Sequence, residues 1–200
     1  MTFLINPSRF GGILASDTFT DINGTALNAH TMDIGTGWTH QNGTFQVQSN
    51  HCEVNSIPAD PSSIATTDVS AADLTIEGNV TFDITDASNY SAGGLIFRYV
   101  DNNNLWFIGV DPQLNTLQIF ERTTGTWTLR DGSTPTVNNG IEYALKVTTS
   151  GNVITGWLDD ANVVTYTSAS HNTATLHGLR GVNVGTPTNQ TKWNNWTATA

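Results

Sequence analysis

Cysteine is nearly absent: Cys52 is the only one in 200 residues. An internal disulfide is therefore excluded, and so is a zinc site built from thiolates. Positive charge is almost as scarce. Lys plus Arg number 7 against 17 for Asp plus Glu, a formal net charge of -10. Cations spread from Arg9 to Lys192 make no basic stripe, which argues against nucleic acid and anionic membrane surfaces as partners. No apolar run approaches the ~18 residues of a membrane-spanning helix. The opening MTFLINPSRFGGILA is not read as a signal peptide. Its first positive charge is Arg9, and Asn6, Pro7, Ser8 and the Gly11-Gly12 pair break the apolar stretch.

What fills the chain instead is polar and uncharged, with 32 Thr, 21 Asn and 18 Gly. Thr favours strands, and Asn and Gly favour turns. The runs of Ala, Leu, Glu and Lys that a helical bundle needs are missing. A hydrophobic share of 38% is too high for a disordered chain. The length fits one domain.

Strand patterns begin after Asp17. Thr44-Phe45-Gln46-Val47 alternates, as do His51 to Val54 and the longer Leu74 to Thr85, with Leu74, Ile76, Val80, Phe82 and Ile84 at even spacing. Leu95 to Val100 and Leu105 to Val110 flank an Asp-Asn-Asn-Asn turn and predict a hairpin. Thr116 to Arg122 and Thr126 to Arg130 flank Thr124-Gly125. Tyr143 to Thr149 and Val153 to Leu158 flank Ser150-Gly151-Asn152. Further strands are expected at Val163 to Thr167, Leu179 to Val184 and Lys192 to Thr199. Roughly a dozen short antiparallel strands in one domain call for two stacked sheets or a closed barrel, and the hairpin-rich order favours the former. The expected fold is an all-β, two-sheet antiparallel β-sandwich of jelly-roll type.

Residues 1–15 differ from the rest. They hold Phe3, Leu4, Ile5, Phe10, Ile13 and Leu14, while Pro7 and the Gly pair prevent a helix or long strand. The expectation is an extended docking arm over 1–15 and a sandwich domain over 16–200, with self-association of the arm, as a trimer, one consequence.

Several segments together resemble the concanavalin A-like lectin/glucanase superfamily in its laminin-G-like branch. Asp17-Thr18-Phe19-Thr20 with Asn23-Gly24-Thr25 resembles its first strand and loop. Gly94 to Tyr99 with Leu105-Trp106-Phe107 resembles its central hairpin. Tyr143 to Val147 with Ser150-Gly151-Asn152 and Leu158-Asp159 resembles its late hairpin. Trp193-Asn194-Asn195-Trp196-Thr197 resembles its closing strand, which in the family pairs with the first. The resemblance covers about residues 16 to 199. It also implies a calcium ion held between first loop and last strand, here by Asp17, Asp21, Asn23 and Asn194. Neutral Asn for Asp weakens such a site, and the preferred reading of Asp21-Ile22-Asn23-Gly24 is a turn only.

Glucanases of the superfamily carry Glu-x-Asp-x-x-Glu on one strand, so that the acids share a face. Glu53, Glu77, Glu121 and Glu142 are followed two residues on by Asn55, Asn79, Thr123 and Ala144, so the motif is absent. No two histidines have metal-ligand spacing. Cys52 alternates with His51 and Glu53 and is expected to point the other way, into the core. The expectation is a protein that is not an enzyme.

Six tryptophans suit sugar binding, because aromatic faces stack on sugar rings. Arg98, Trp106 and Trp127 are the candidates for an exposed concave platform, and Trp38, Trp157, Trp193 and Trp196 for the core. The arm resembles the N-termini of small virion proteins of tailed bacteriophages. That resemblance implies a non-catalytic virion structural protein, decorating the capsid or associated with the tail, which docks on a capsid or tail protein. The alternatives are a carbohydrate-binding module for a cell-surface glycan and a divergent glycoside hydrolase.

Overall fold

The computed structural model describes residues 11–56, 62–83, 91–183 and 190–200. No helix occurs among the described residues. In chain order the strands are β1 (Ile13–Asp17), β2 (Thr25–Ala26), β3 (Thr39–Asn42), β4 (Thr44–Val47), β5 (Cys52–Ser56) and β6 (Ser63–Asp68). Then come β7 (Leu74–Asp83), β8 (Ser91–Asp101), β9 (Asn104–Asp111), β10 (Thr116–Thr123) and β11 (Thr126–Ser133). The last are β12 (Glu142–Ser150), β13 (Val153–Leu158), β14 (Asn162–Thr167), β15 (Leu176–Asn183) and β16 (Gln190–Thr199).

They form two antiparallel sheets, stacked as the all-β pattern predicts. The nine-stranded sheet runs β14-β13-β12-β7-β16-β5-β4-β2, with β1 also bonded to β16. The seven-stranded sheet runs β11-β10-β9-β8-β15-β6-β3. This is a concanavalin A-like jelly-roll sandwich. The even spacing along β7 sends Leu74, Ile76, Val80 and Phe82 inward and leaves Thr75, Glu77, Asn79 and Thr81 outward. From the opposite sheet Leu95, Phe97, Trp106 and Ile108 meet them in the shared core, joined by the fully buried Trp193 and Trp196 of β16. Cys52 belongs to this core, and burial pushes its thiol pKa well above the ordinary value. His51 and Glu53 bond to each other outside it, at 3.2 Å.

The three expected hairpins are present. The first and closing strands pair, as the resemblance implies, from Ile13 opposite Thr199 to Asp17 opposite Trp196. Two expectations on the first segment need correction. The first strand is not Asp17 to Thr20. It ends at Asp17, whose Oδ1 accepts the Phe19 N–H at 2.8 Å, and Phe19 turns away with a φ of 52°. Ile13, Leu14 and Ala15 are therefore not free arm but sheet, and Ala15 is fully buried. Phe3, Leu4, Ile5 and Phe10 lie outside the described residues.

Candidate functional site

The outward face of the seven-stranded sheet carries a second apolar cluster. Residues opposite one another in a ladder share a face. Phe107 lies opposite Ile96 and Phe120, Leu105 opposite Arg122, Arg122 opposite Trp127, and Arg180 opposite Gly94 and Ile64. Ile64, Ile96, Leu105 and Phe107 are buried there, with Phe120, Trp127 and Leu176 partly exposed around them. Phe107 lies along the sheet because Gly94 and Gly109, a cross-strand pair, leave a slot. A Cβ on Gly109 would stand 2.1 Å from its ring and one on Gly94 2.4 Å.

Cations close over this slot. The Arg180 guanidinium lies 4.4 Å from the Phe107 ring centre and 4.7 Å from that of Trp127. Arg122 lies 5.2 Å from Trp127, and its Nε donates to the Gly125 carbonyl at 3.2 Å. Trp127 meets Phe107 and Phe120 edge to face, both at 6.3 Å. The patch thus offers a partly exposed indole beside two planar guanidinium groups. An aromatic surface next to fixed N–H donors suits a ligand with both C–H faces and hydroxyls.

Of the expected platform, only Trp127 is on it. Trp106 is fully buried on the inner face, stacked on Phe97 at 6.2 Å, with its Nε1 donating to the Ser170 carbonyl at 3.0 Å. Arg98 is also fully buried. A φ of 48° at a bulge in β8 turns it out of the alternation, and Nη2 donates to Asp73 Oδ1 at 2.8 Å and the Gly151 carbonyl at 2.6 Å. Its role is to pin the entry of β7 to the β12–β13 turn. Trp157, expected in the core, stands instead on the outer face of the nine-stranded sheet opposite Lys146. Trp38, Trp193 and Trp196 fill the core as expected.

Sequence reasoning missed Phe107, Arg122 and Arg180. The Thr124-Gly125 turn already implied the Arg122–Trp127 pair, since a two-residue turn sets the register of a hairpin. Arg180 comes from a distant strand, and no local signal points to it.

The four expected calcium ligands do not fit the ion. Asp17 Oδ1 accepts from Phe19 N and from His30 Nε2 at 2.9 Å, and its Oδ2 accepts from Trp38 Nε1 at 2.6 Å. Asp21 accepts from His30 Nδ1 at 3.0 Å, and Asn23 Oδ1 from Ser49 N at 2.7 Å. Asn194 reaches away to Glu142. The carboxylates of the first loop are turned onto His30, which both hydrogen-bond. Burial pulls the His30 pKa down, but the hydrogen bonds to Asp21 and Asp17 outweigh it and hold the imidazolium above its ordinary range. Asp21 is held below the ordinary carboxylate range, chiefly by the same hydrogen bond to His30.

No family model matches the chain, and no curated protein is similar to it in sequence. Solved structures share the fold. The carbohydrate-binding module CBM66 from Bacillus subtilis superposes with a TM-score of 0.68 at 23% identity, over 83% of this chain and 97% of that one. A non-specific endo-β-1,3(4)-glucanase of family GH16 gives 0.62 at 9% identity, over 94% and 91%. The CBM2 module of the evolved Dit protein of Lactobacillus casei BL23 phage J-1 gives 0.60 at 12% identity, over 95% and 96%. At these identities the likeness speaks for the fold alone.

Proposed function

We propose that this protein is a non-catalytic carbohydrate-binding module, and that the Trp127 patch is its binding surface. The observation that carries the reading is the partly exposed Trp127 indole with the Arg122 and Arg180 guanidinium groups 5.2 and 4.7 Å from its ring centre, on one sheet face. Guanidinium N–H groups donate to sugar hydroxyls in a fixed plane, while the indole covers the C–H face of the ring. The carbohydrate-binding modules among the fold's neighbours support it. A glycan array probed with wild type and Trp127→Ala tests it. Binding that falls at least about tenfold in the variant is expected, the loss typical of a binding aromatic. No glycan bound by wild type, or equal binding by both, removes the reading.

A second reading keeps the protein on a virion, as a capsid decoration or tail-associated component. The fold match to a phage Dit module supports it. In that reading Phe3, Leu4, Ile5 and Phe10 dock on a capsid or tail protein, and the sandwich faces outward. Deleting residues 2–10 spares β1, so the domain should fold and yet fail to enter particles. Normal incorporation of the deleted chain removes this second reading.

A further inference from the structure

The outer face of the nine-stranded sheet has a different build, which the Trp127 patch does not account for. The ladders place Val163 of β14 opposite Trp157, Trp157 opposite Lys146, and Lys146 opposite Glu77. Glu77 is opposite Thr197, and Thr197 opposite Ser16 of β1. These six side chains therefore form one row across six strands, on one face. At ~4.8 Å per strand the row is ~24 Å long.

Its two ends differ. At one end Trp157 is partly exposed, Val163 is 50% exposed, and Lys146 Nζ lies 5.1 Å from the Trp157 ring centre while paired with Asp160. At the other end the row opens into a groove of about 560 Å³, lined chiefly by Glu77, Asn79, Asn195, Thr197 and Thr199. The groove walls are hydroxyls, amides, the carboxylates of Glu77 and Asp17, and the exposed side chain of Ile13.

The geometry points to a second glycan-binding surface here, which takes an extended, uncharged polysaccharide laid across the strands. One sugar ring would rest on Trp157, and the chain's hydroxyls would enter the groove at Glu77 and Thr197, ~10 Å and ~14 Å away by strand spacing. Three features select this occupant. A sugar chain needs one apolar platform followed by a line of hydrogen-bonding groups, and the row supplies them in that order. Lys146 is already paired with Asp160, so Glu77 leaves the row net negative, which repels an acidic polysaccharide and leaves a neutral one as the fitting chain. Glu77 is exposed, and a carboxylate accepts paired hydroxyl donors from a sugar. This surface lies on the opposite sheet from Trp127 and stands apart from that site.

Calorimetric titration of the intact protein with cello-, xylo-, manno- and laminarihexaose tests it. At least one neutral hexasaccharide should bind, and Trp157→Ala and Glu77→Ala should each weaken it by about tenfold or more, as loss of a key contact does. Both positions face solvent, and Glu77→Ala keeps the test decisive if Trp157→Ala is poorly folded. Unchanged affinity in Glu77→Ala, or no hexasaccharide bound by wild type, overturns the proposal. Loss with Trp127→Ala alone also overturns it while leaving the first site standing. Loss with Trp157→Ala and Glu77→Ala but not with Trp127→Ala supports this surface and leaves the first to its own glycan array.

Discussion

The two sheets turn opposite chemistries to the outside. Beyond the seven-stranded sheet lie Ile64, Ile96, Leu105 and Phe107, nearly all of their surface covered, with Arg122, Arg180 and Trp127 above. Beyond the nine-stranded sheet lie Thr75, Glu77, Asn79, Lys146 and Thr197, with a single indole, Trp157, among them. Both sheets supply their inner faces to one core, so the difference is not required by the fold. A sheet with one apolar face needs only a polar exterior. The second apolar layer must therefore serve either stability or binding, and the two faces should respond differently to the same kind of change.

The largest effect is expected at Phe107. Phe107→Ala empties the slot over Gly94 and Gly109 and should destabilise the fold by about 3–5 kcal/mol, read by urea unfolding. Arg98→Met comes next. It strips three hydrogen bonds from the β7 entry and leaves Asp73 and the Gly151 carbonyl without their charged donor. A loss of about 1.5–3 kcal/mol is expected.

The two buried histidines give a comparison in pH, and their signs are opposite. The folded pKa of His30 is raised, so its contribution is complete below the ordinary value of 6.5 and is lost as pH rises through the folded value. His177 is depressed to about 4, because burial disfavours its charged form. Its contribution is complete above 6.5 and is lost as pH falls towards 4. Unfolding midpoints between pH 6 and 9 should fall in wild type and level out in His30→Gln. A slope that survives that substitution would remove His30 as its source.

The smallest effect belongs to the polar face. Thr75→Ala and Thr197→Ala should each stay within about 0.5 kcal/mol of wild type. A larger cost there would mean that this face, too, is structural.

Much of the sandwich was legible. β7, β12 and β13 show their parity in the letters, because each has one wet face and one dry one. β6 was not anticipated. Ser63 to Thr67 is buried on both faces between β15 and β3, so no alternation marks it. The platform failed for a related reason. In LIFRYV and LWFIGV both faces are apolar, so parity could not tell Trp106, inside, from Phe107, outside. At Arg98 a bulge breaks the alternation, and a bulge is set by partners distant in sequence. The first loop misled in another way. Asp17 and Asp21 do converge, but the group they converge on is a histidine nine residues beyond Asp21.

Strand β16 has one more consequence, and it concerns time rather than space. It is bonded to β7, to β5 and to β1, so it is the seam of the nine-stranded sheet, yet it follows every other strand in the chain. During synthesis β1 must wait for β16 before it joins the sheet, and until then its backbone partner is the Ser16–Ile34 bridge. The seven-stranded sheet can pair fully once β15 has emerged. Pairing across so long a separation slows folding. The sheet with the polar, Thr-rich outer face is thus the one completed last.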